Sequence, residues 1–161
     1  MAKNPNTCLF IGHHDASDNL YPVILEAIGE LIAQGITEFW SGGYGHFDHM
    51  CERAVREWKT RGAAIKLVLA LAYMPKSDEE TQRYLSTFDE TFLPDLSSCP
   101  VRLAISRRNE WLARHAEHVL FYVQHPFGGA AKTLSIAQHA GAIIHPICTQ
   151  ASPDPFRGGA A

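Results

Sequence analysis

Short apolar runs, each cut off by glycine or a polar turn, alternate along this chain with segments of helical period. That alternation constrains the fold more than any other feature. Residues 7–11 (TCLFI) are apolar, stop at Gly12 and read as a buried strand. Pro22 opens a helix with Val23, Ile24, Ala27, Ile28, Leu31 and Ile32 along one face, closed by Gly35. A second strand at 36–40 (ITEFW) breaks at Ser41-Gly42-Gly43, and a helical period follows over 47–59, ended by Gly62. A third strand at 64–72 is apolar enough for a sheet interior. Residues 73–100 are polar and without clean period, and read as a long loop with short helices near 77–85 and 90–96. Then come a strand at 101–105, a helix at 107–115, a strand at 118–123, a helix opened by Gly128-Gly129 and stopped by Gly141, and a strand at 142–147. Strands alternating with helices imply an α/β fold, Rossmann-like and doubly wound, with a mainly parallel sheet and helices on both faces.

Composition narrows the class. With 161 residues, 46% of them hydrophobic and 19% charged, the chain is long enough to bury a core. One domain over 1–150 and a flexible Pro/Gly/Ala-rich tail over 151–161 are expected. A formal charge of −3 with no Lys/Arg block argues against a nucleic-acid footprint. Cys8, Cys51, Cys99 and Cys148 form no CxxC pair, which suggests reduced thiols rather than zinc. No apolar run approaches the roughly 20 residues of a membrane-spanning helix, and residues 1–6 have no signal-peptide core. A cytoplasmic protein without membrane partners is the expectation.

Ligands of such sheets sit outside the carboxyl ends of the strands. The turns expected there are Gly12-His13-His14-Asp15, Ser41-Gly42-Gly43-Tyr44-Gly45 and Phe127-Gly128-Gly129-Ala130. Glycines at a strand-to-helix turn let backbone N–H groups approach an anion, and the helix N-terminus adds favourable partial charge. Gly43-Tyr44-Gly45 begins a GxGxxG, but Asp48 stands where its last glycine belongs, so the dinucleotide fingerprint is not met. Residues 126–133 (PFGGAAKT) are no P-loop either, because Pro126 and Ala131 occupy required glycine positions. Lys132 and Thr133 face a phosphate or are an ordinary solvated lysine and a helix-start threonine. Arg108, with Asn109, is placed to grip a phosphate. His13-His14 and His46-x-x-His49 are weak metal signals, and no metal or cofactor is expected.

Taken in order, GHH after the first strand, SGGYGHFD after the second, RN opening a helix and GG before an alanine-rich helix resemble the YpsA-like branch of the SLOG superfamily. That superfamily unites the Smf/DprA DNA-processing proteins with the Lonely-guy phosphoribohydrolases, and the resemblance runs over about residues 7–147. It implies a Rossmann-like sheet whose glycine turns bind nucleotides or nucleotide-derived ligands, and homodimers. Gly12, His13, Ser41, Gly42, Gly43, Gly45, Asp48, Arg108, Asn109, Gly128, Gly129, Ala130, Lys132 and Thr133 fall in the ligand-binding set. His14 stands where the YpsA-like pattern has arginine. Arg108 falls at the catalytic arginine of the Lonely-guy enzymes, whose GGxGTxxE motif ends in a glutamate replaced here by Thr133. A threonine supplies no carboxylate to an oxocarbenium-like centre.

The first functional reading is therefore a binding module that senses a small nucleotide-like ligand. The alternative is an N-glycoside hydrolase of nucleoside monophosphates, with Arg108 on the substrate and Asp48 or Glu110 as acid or base. A structural domain with an empty site is the third.

Overall fold

The computed structural model describes residues 2–96 and 98–148, so the expected tail at 151–161 lies outside the described residues. Its strands are β1 (Asn4–Gly12), β2 (Glu38–Ser41), β3 (Lys66–Ala70), β4 (Glu90–Phe92), β5 (Ala116–Tyr122) and β6 (Ile143–Pro146). Its helices are α1 (Tyr21–Ala33), α2 (His46–Thr60), α3 (Asp78–Thr87), α4 (Ala104–His115) and α5 (Gly129–His139). The six strands form one sheet in the order β4-β3-β2-β1-β5-β6, and every pairing is parallel. The doubly wound Rossmann-like fold is thus the observed one. The chain runs outward from β1 to β4, then returns to the other side of β1 for β5 and β6. The turns after β1 and β5 leave the sheet at this reversal, which opens a crevice between them.

Alternation along the strands divides the core in two. Cys8, Phe10, Phe39, Leu67, Leu69 and Leu120 face α1 and α2, where Ile24, Ile28, Phe47 and Val55 meet them. Leu9, Ile11, Trp40, Val68, Ala70 and Val119 face the opposite way, against Leu112, Ala113 and Ala137 of α4 and α5. A period of two buries both faces only when helices cover both, which is why these strands read as unbroken apolar runs. Cys8 and Cys51 are buried, Cys99 is half-buried and Cys148 is exposed, and all four are free thiols. Burial pushes the Cys8 thiol up to about 12.

Two expectations of local structure are corrected. Residues 90–96 hold no helix; Glu90–Phe92 is the edge strand β4. Asp89 docks it, because its carboxylate accepts the Leu67 N–H at 2.7 Å and pairs with Lys59. Residues 101–105 hold no strand; Val101–Leu103 is a 3-10 turn after Pro100, and α4 begins at Ala104. Proline ahead of a helix start was the signal there. Ser77 caps α3 by accepting the Glu80 N–H. Among the described residues no helix is long and apolar enough to cross a membrane.

Phe88 lies in the core, Phe92 and Trp111 pack against Trp40, and Phe127 is exposed at 68%.

Gly12 ends β1 directly beneath the Phe47 ring, and an added Cβ would stand inside that ring. Phe47 is fully buried and cannot swing away. Gly12→Ala is expected to destabilise the fold by about 1–3 kcal/mol through overpacking, read as a lower Tm. Adding Phe47→Leu should recover part of the loss; a Gly12→Ala Tm equal to the native value would contradict this packing.

Candidate functional site

A cavity of about 560 Å³ opens at the crevice between the turns after β1 and β5. Gly12 and His13 enter from β1, Gly42 from the turn after β2, and Asp48 from the first turn of α2. Arg108 and Asn109 come from α4, and Gly128, Gly129, Ala130 and Thr133 from the start of α5. The glycine turns after β2 and β5 therefore meet on one cavity, although they are far apart in sequence.

Four residues of the expected set stand outside it. Ser41 is buried behind the turn, where its Oγ donates to Glu52 Oε2 at 2.6 Å and accepts the Gly43 N–H at 3.0 Å. Gly43 lines a neighbouring cavity instead. Gly45 caps α2 with φ +93°, and an added Cβ would lie 2.7 Å from the His14 Cα. Glycine is required there for conformation and for space together. Lys132 points to solvent from α5.

Arg108 is 6% exposed. Its Nη1 donates to the carbonyls of Gly42 (2.9 Å) and Ala70 (3.2 Å), and its Nε and Nη2 donate to Asn109 Oδ1. Most of its donors are thus spent on the protein, and its first role is to fix the turn after β2 against the end of β3. Burial lowers the guanidinium from its ordinary value, while the nearby Asp48 charge raises it. Arginine remains charged in either case.

Asp48 is 8% exposed, and its carboxylate accepts the Tyr44 N–H at 3.3 Å. Burial, and then the Glu52 charge one helical turn on, push its carboxyl up to about 8, against the pull of the Tyr44 N–H and of Arg108. Glu52 itself is 4% exposed and was absent from the sequence reading. The only trace of it was spacing: four residues after Asp48, it lies on the same face of α2.

The helix ends contribute unequally. At α2 the His46 N–H donates to the His14 carbonyl at 2.8 Å and Asp48 folds back on the turn. At α5 no side chain caps the start, Gly128 precedes it at φ +93°, and the Lys132 N–H is the first to find a helical carbonyl. The N–H groups of the first turn are therefore turned toward the cavity with the positive end of the helix dipole. Thr133 Oγ donates back to the Gly129 carbonyl at 2.9 Å.

Histidines that read as weak metal ligands disperse. His46 pairs with Asp18, His49 faces Glu52, and His13 Nε2 accepts the Gln124 N–H at 2.7 Å. Desolvation and then the neighbouring His125 lower the His13 value further. The His13 ring stacks on His125 at 4.3 Å between centroids, and His125 stacks on Phe127 at 4.1 Å. This ladder at the cavity mouth was not read from sequence.

The Asp48 value carries a pH signature. A carboxyl that holds its proton more tightly folded than unfolded contributes stability below its unfolded value, near 3.8, and loses it as pH rises toward 8. Asp48→Asn keeps the shape without the charge. Its Tm relative to the native chain should rise between about pH 4 and pH 8 and level off above; parallel Tm curves would show that Asp48 is not held protonated.

No protein-family profile and no curated protein matches this sequence. Solved structures do. DNA processing protein A from Streptococcus pneumoniae superposes with TM-score 0.66 at 15% identity, over 91% of this chain and 52% of that one. This chain thus spans about half the length of that protein. DNA processing protein A from Helicobacter pylori, described in a single-stranded DNA binding mode, gives 0.62 at 12% identity over 91% of this chain and 66% of that one. The molybdenum cofactor carrier protein of Chlamydomonas reinhardtii gives 0.55 at 14% identity, over 87% and 74%. The chain has the Rossmann-like fold that these proteins share, which is the fold implied by its resemblance to the SLOG superfamily.

Proposed function

We propose that the cavity at the crevice binds a nucleotide or a nucleotide-derived molecule, and that the protein acts as a binding module for it. The uncapped start of α5 carries this reading. Its N–H groups, on the cavity-lining residues Gly128, Gly129 and Ala130 and without a side-chain cap, suit a phosphate. Buried Arg108 adds positive charge to the cavity lining. The His13–His125–Phe127 ladder offers a base a flat surface to stack on. The carrier and DNA-processing proteins of the same fold are named for ligands as different as a cofactor and single-stranded DNA, so the fold by itself selects neither.

One observation favours a second reading, N-glycoside hydrolysis of a nucleoside monophosphate. Asp48 lines the cavity with its carboxyl near 8, so it is largely protonated at neutral pH. In that form it can give its proton to a departing base while water adds to the ribose carbon. Thr133 provides no second carboxylate across the cavity, which keeps binding as the first reading.

Gly129→Asp separates binding from folding. Open space surrounds this position, and an acidic residue in the first turn of a helix suits its dipole. The variant should fold at least as stably as the native chain, yet bind AMP or GMP about tenfold or more weakly by calorimetry, through charge repulsion of roughly 1.4 kcal/mol or more. Unchanged affinity, or no saturable heat from any nucleoside monophosphate at millimolar concentration, would overturn the binding site. Free base released by the native chain, and lost in Asp48→Asn, would establish the second reading over the first.

A further inference from the structure

A second cavity, of about 650 Å³, lies on the far side of the turn after β2, over the end of β3 and against α3. Its lining combines two chemistries. Tyr73, Tyr84 and Phe88 are aromatic, while Arg56, Lys76 and Arg83 bring positive charge from α2, from the loop after β3 and from α3. We propose that this cavity is a binding site for a phosphorylated aromatic small molecule. Arg56, Lys76 and Arg83 take its phosphoryl group, and Tyr73 and Tyr84 take its ring.

Arg56 carries the proposal. Its Nη1 is buried, and no hydrogen-bond partner reaches it among the described residues. Folded chains seldom leave a buried charged donor unpaired, because its lost hydration has to be replaced. The two carboxylates that share the cavity are both engaged. Glu52 accepts Ser41 Oγ at 2.6 Å and faces His49 Nδ1 at 3.3 Å. Glu80 accepts the Tyr84 hydroxyl at 2.6 Å and the Lys76 backbone N–H at 2.7 Å. Arg108, at the boundary with the first cavity, is spent on carbonyls. Neither Lys76 nor Arg83 forms an ion pair within 4 Å among the described residues, although the Glu80 charge lies near both. Three cations against two occupied carboxylates leave room for an anion, and a guanidinium fork matches phosphoryl oxygens in geometry.

This site stands apart from the nucleotide reading, since Arg56, Lys76 and Arg83 line the second cavity and not the first. Phenyl phosphate, titrated into the full chain with NMR detection of arginine Nε–Hε and backbone amide signals, is the probe. Saturable shifts at Arg56 and Arg83 are expected. Lys76→Gln and Arg83→Gln, both at exposed positions, should each weaken binding several-fold with the fold intact. Arg56→Met should abolish binding and raise the Tm of the free protein, since it removes a buried donor that has no partner. A purely structural Arg56 would give a lower Tm on substitution. Gly129→Asp should leave phenyl phosphate binding unchanged, so failure of the first cavity is distinguishable from failure of this one. Shifts confined to the start of α5, no saturable shift at all, unchanged affinity in Arg56→Met, or a lowered Tm in that variant would each overturn the proposal.

Discussion

The Arg108 guanidinium holds the loop ends of this fold together. A parallel sheet presents the free carbonyls of its strand ends to the same edge, and those carbonyls need donors. Arg108 reaches from α4 to the Gly42 carbonyl beyond β2 and the Ala70 carbonyl that ends β3. A charge this deeply buried is tolerated because its N–H groups are bonded and a carboxyl stands near it. Losing it would free the glycine turn, expose two carbonyls and leave Asp48 without its nearest cation. The structure thus shows Arg108 as part of the scaffold that shapes the crevice.

Behind that turn, Ser41 Oγ sits between Glu52 and the Gly43 N–H in a short chain of hydrogen bonds. Asp48 and Glu52 emerge one helical turn apart from α2, one toward each cavity. Their closeness raises the Asp48 value, because two carboxyls this near one another in a poorly hydrated place do not both ionise easily. The buried acids of α2 and the buried base of α4 thus form one polar layer within an otherwise apolar domain core, at the sheet edge where chemistry is most accessible.

Periodicity made most of this legible. The apolar runs that became β1, β2, β3, β5 and β6, and the glycines that end or open α1, α2 and α5, were readable from side-chain spacing. β4 was not, because its three residues, Glu90–Phe92, are too few to show a period and are held by Asp89 and by ion pairs. The stretch after Pro100 misled because its apolar residues alternate as a strand's would, while the proline marks a helix start. At the site, glycine spacing located both turns, and family likeness located Arg108. Nothing local to the chain shows that Arg108 binds carbonyls, that Glu52 is buried or that His13 stacks on His125. Those are contacts between segments distant in sequence, made by the winding of the sheet.

The two outer strands of the sheet carry a consequence of their own. β4 has three residues, with Pro94 two positions beyond its end, and β6 has four, closing on Pro146. An unpaired strand edge is a template on which another chain can extend the sheet. Edges this short, next to residues that lack an N–H, offer a newcomer few hydrogen bonds and little length over which to settle a register. Growth of the sheet from copy to copy is thereby discouraged at both ends. Helix surfaces and the loop-lined rim, rather than these edges, are the larger surfaces open to association.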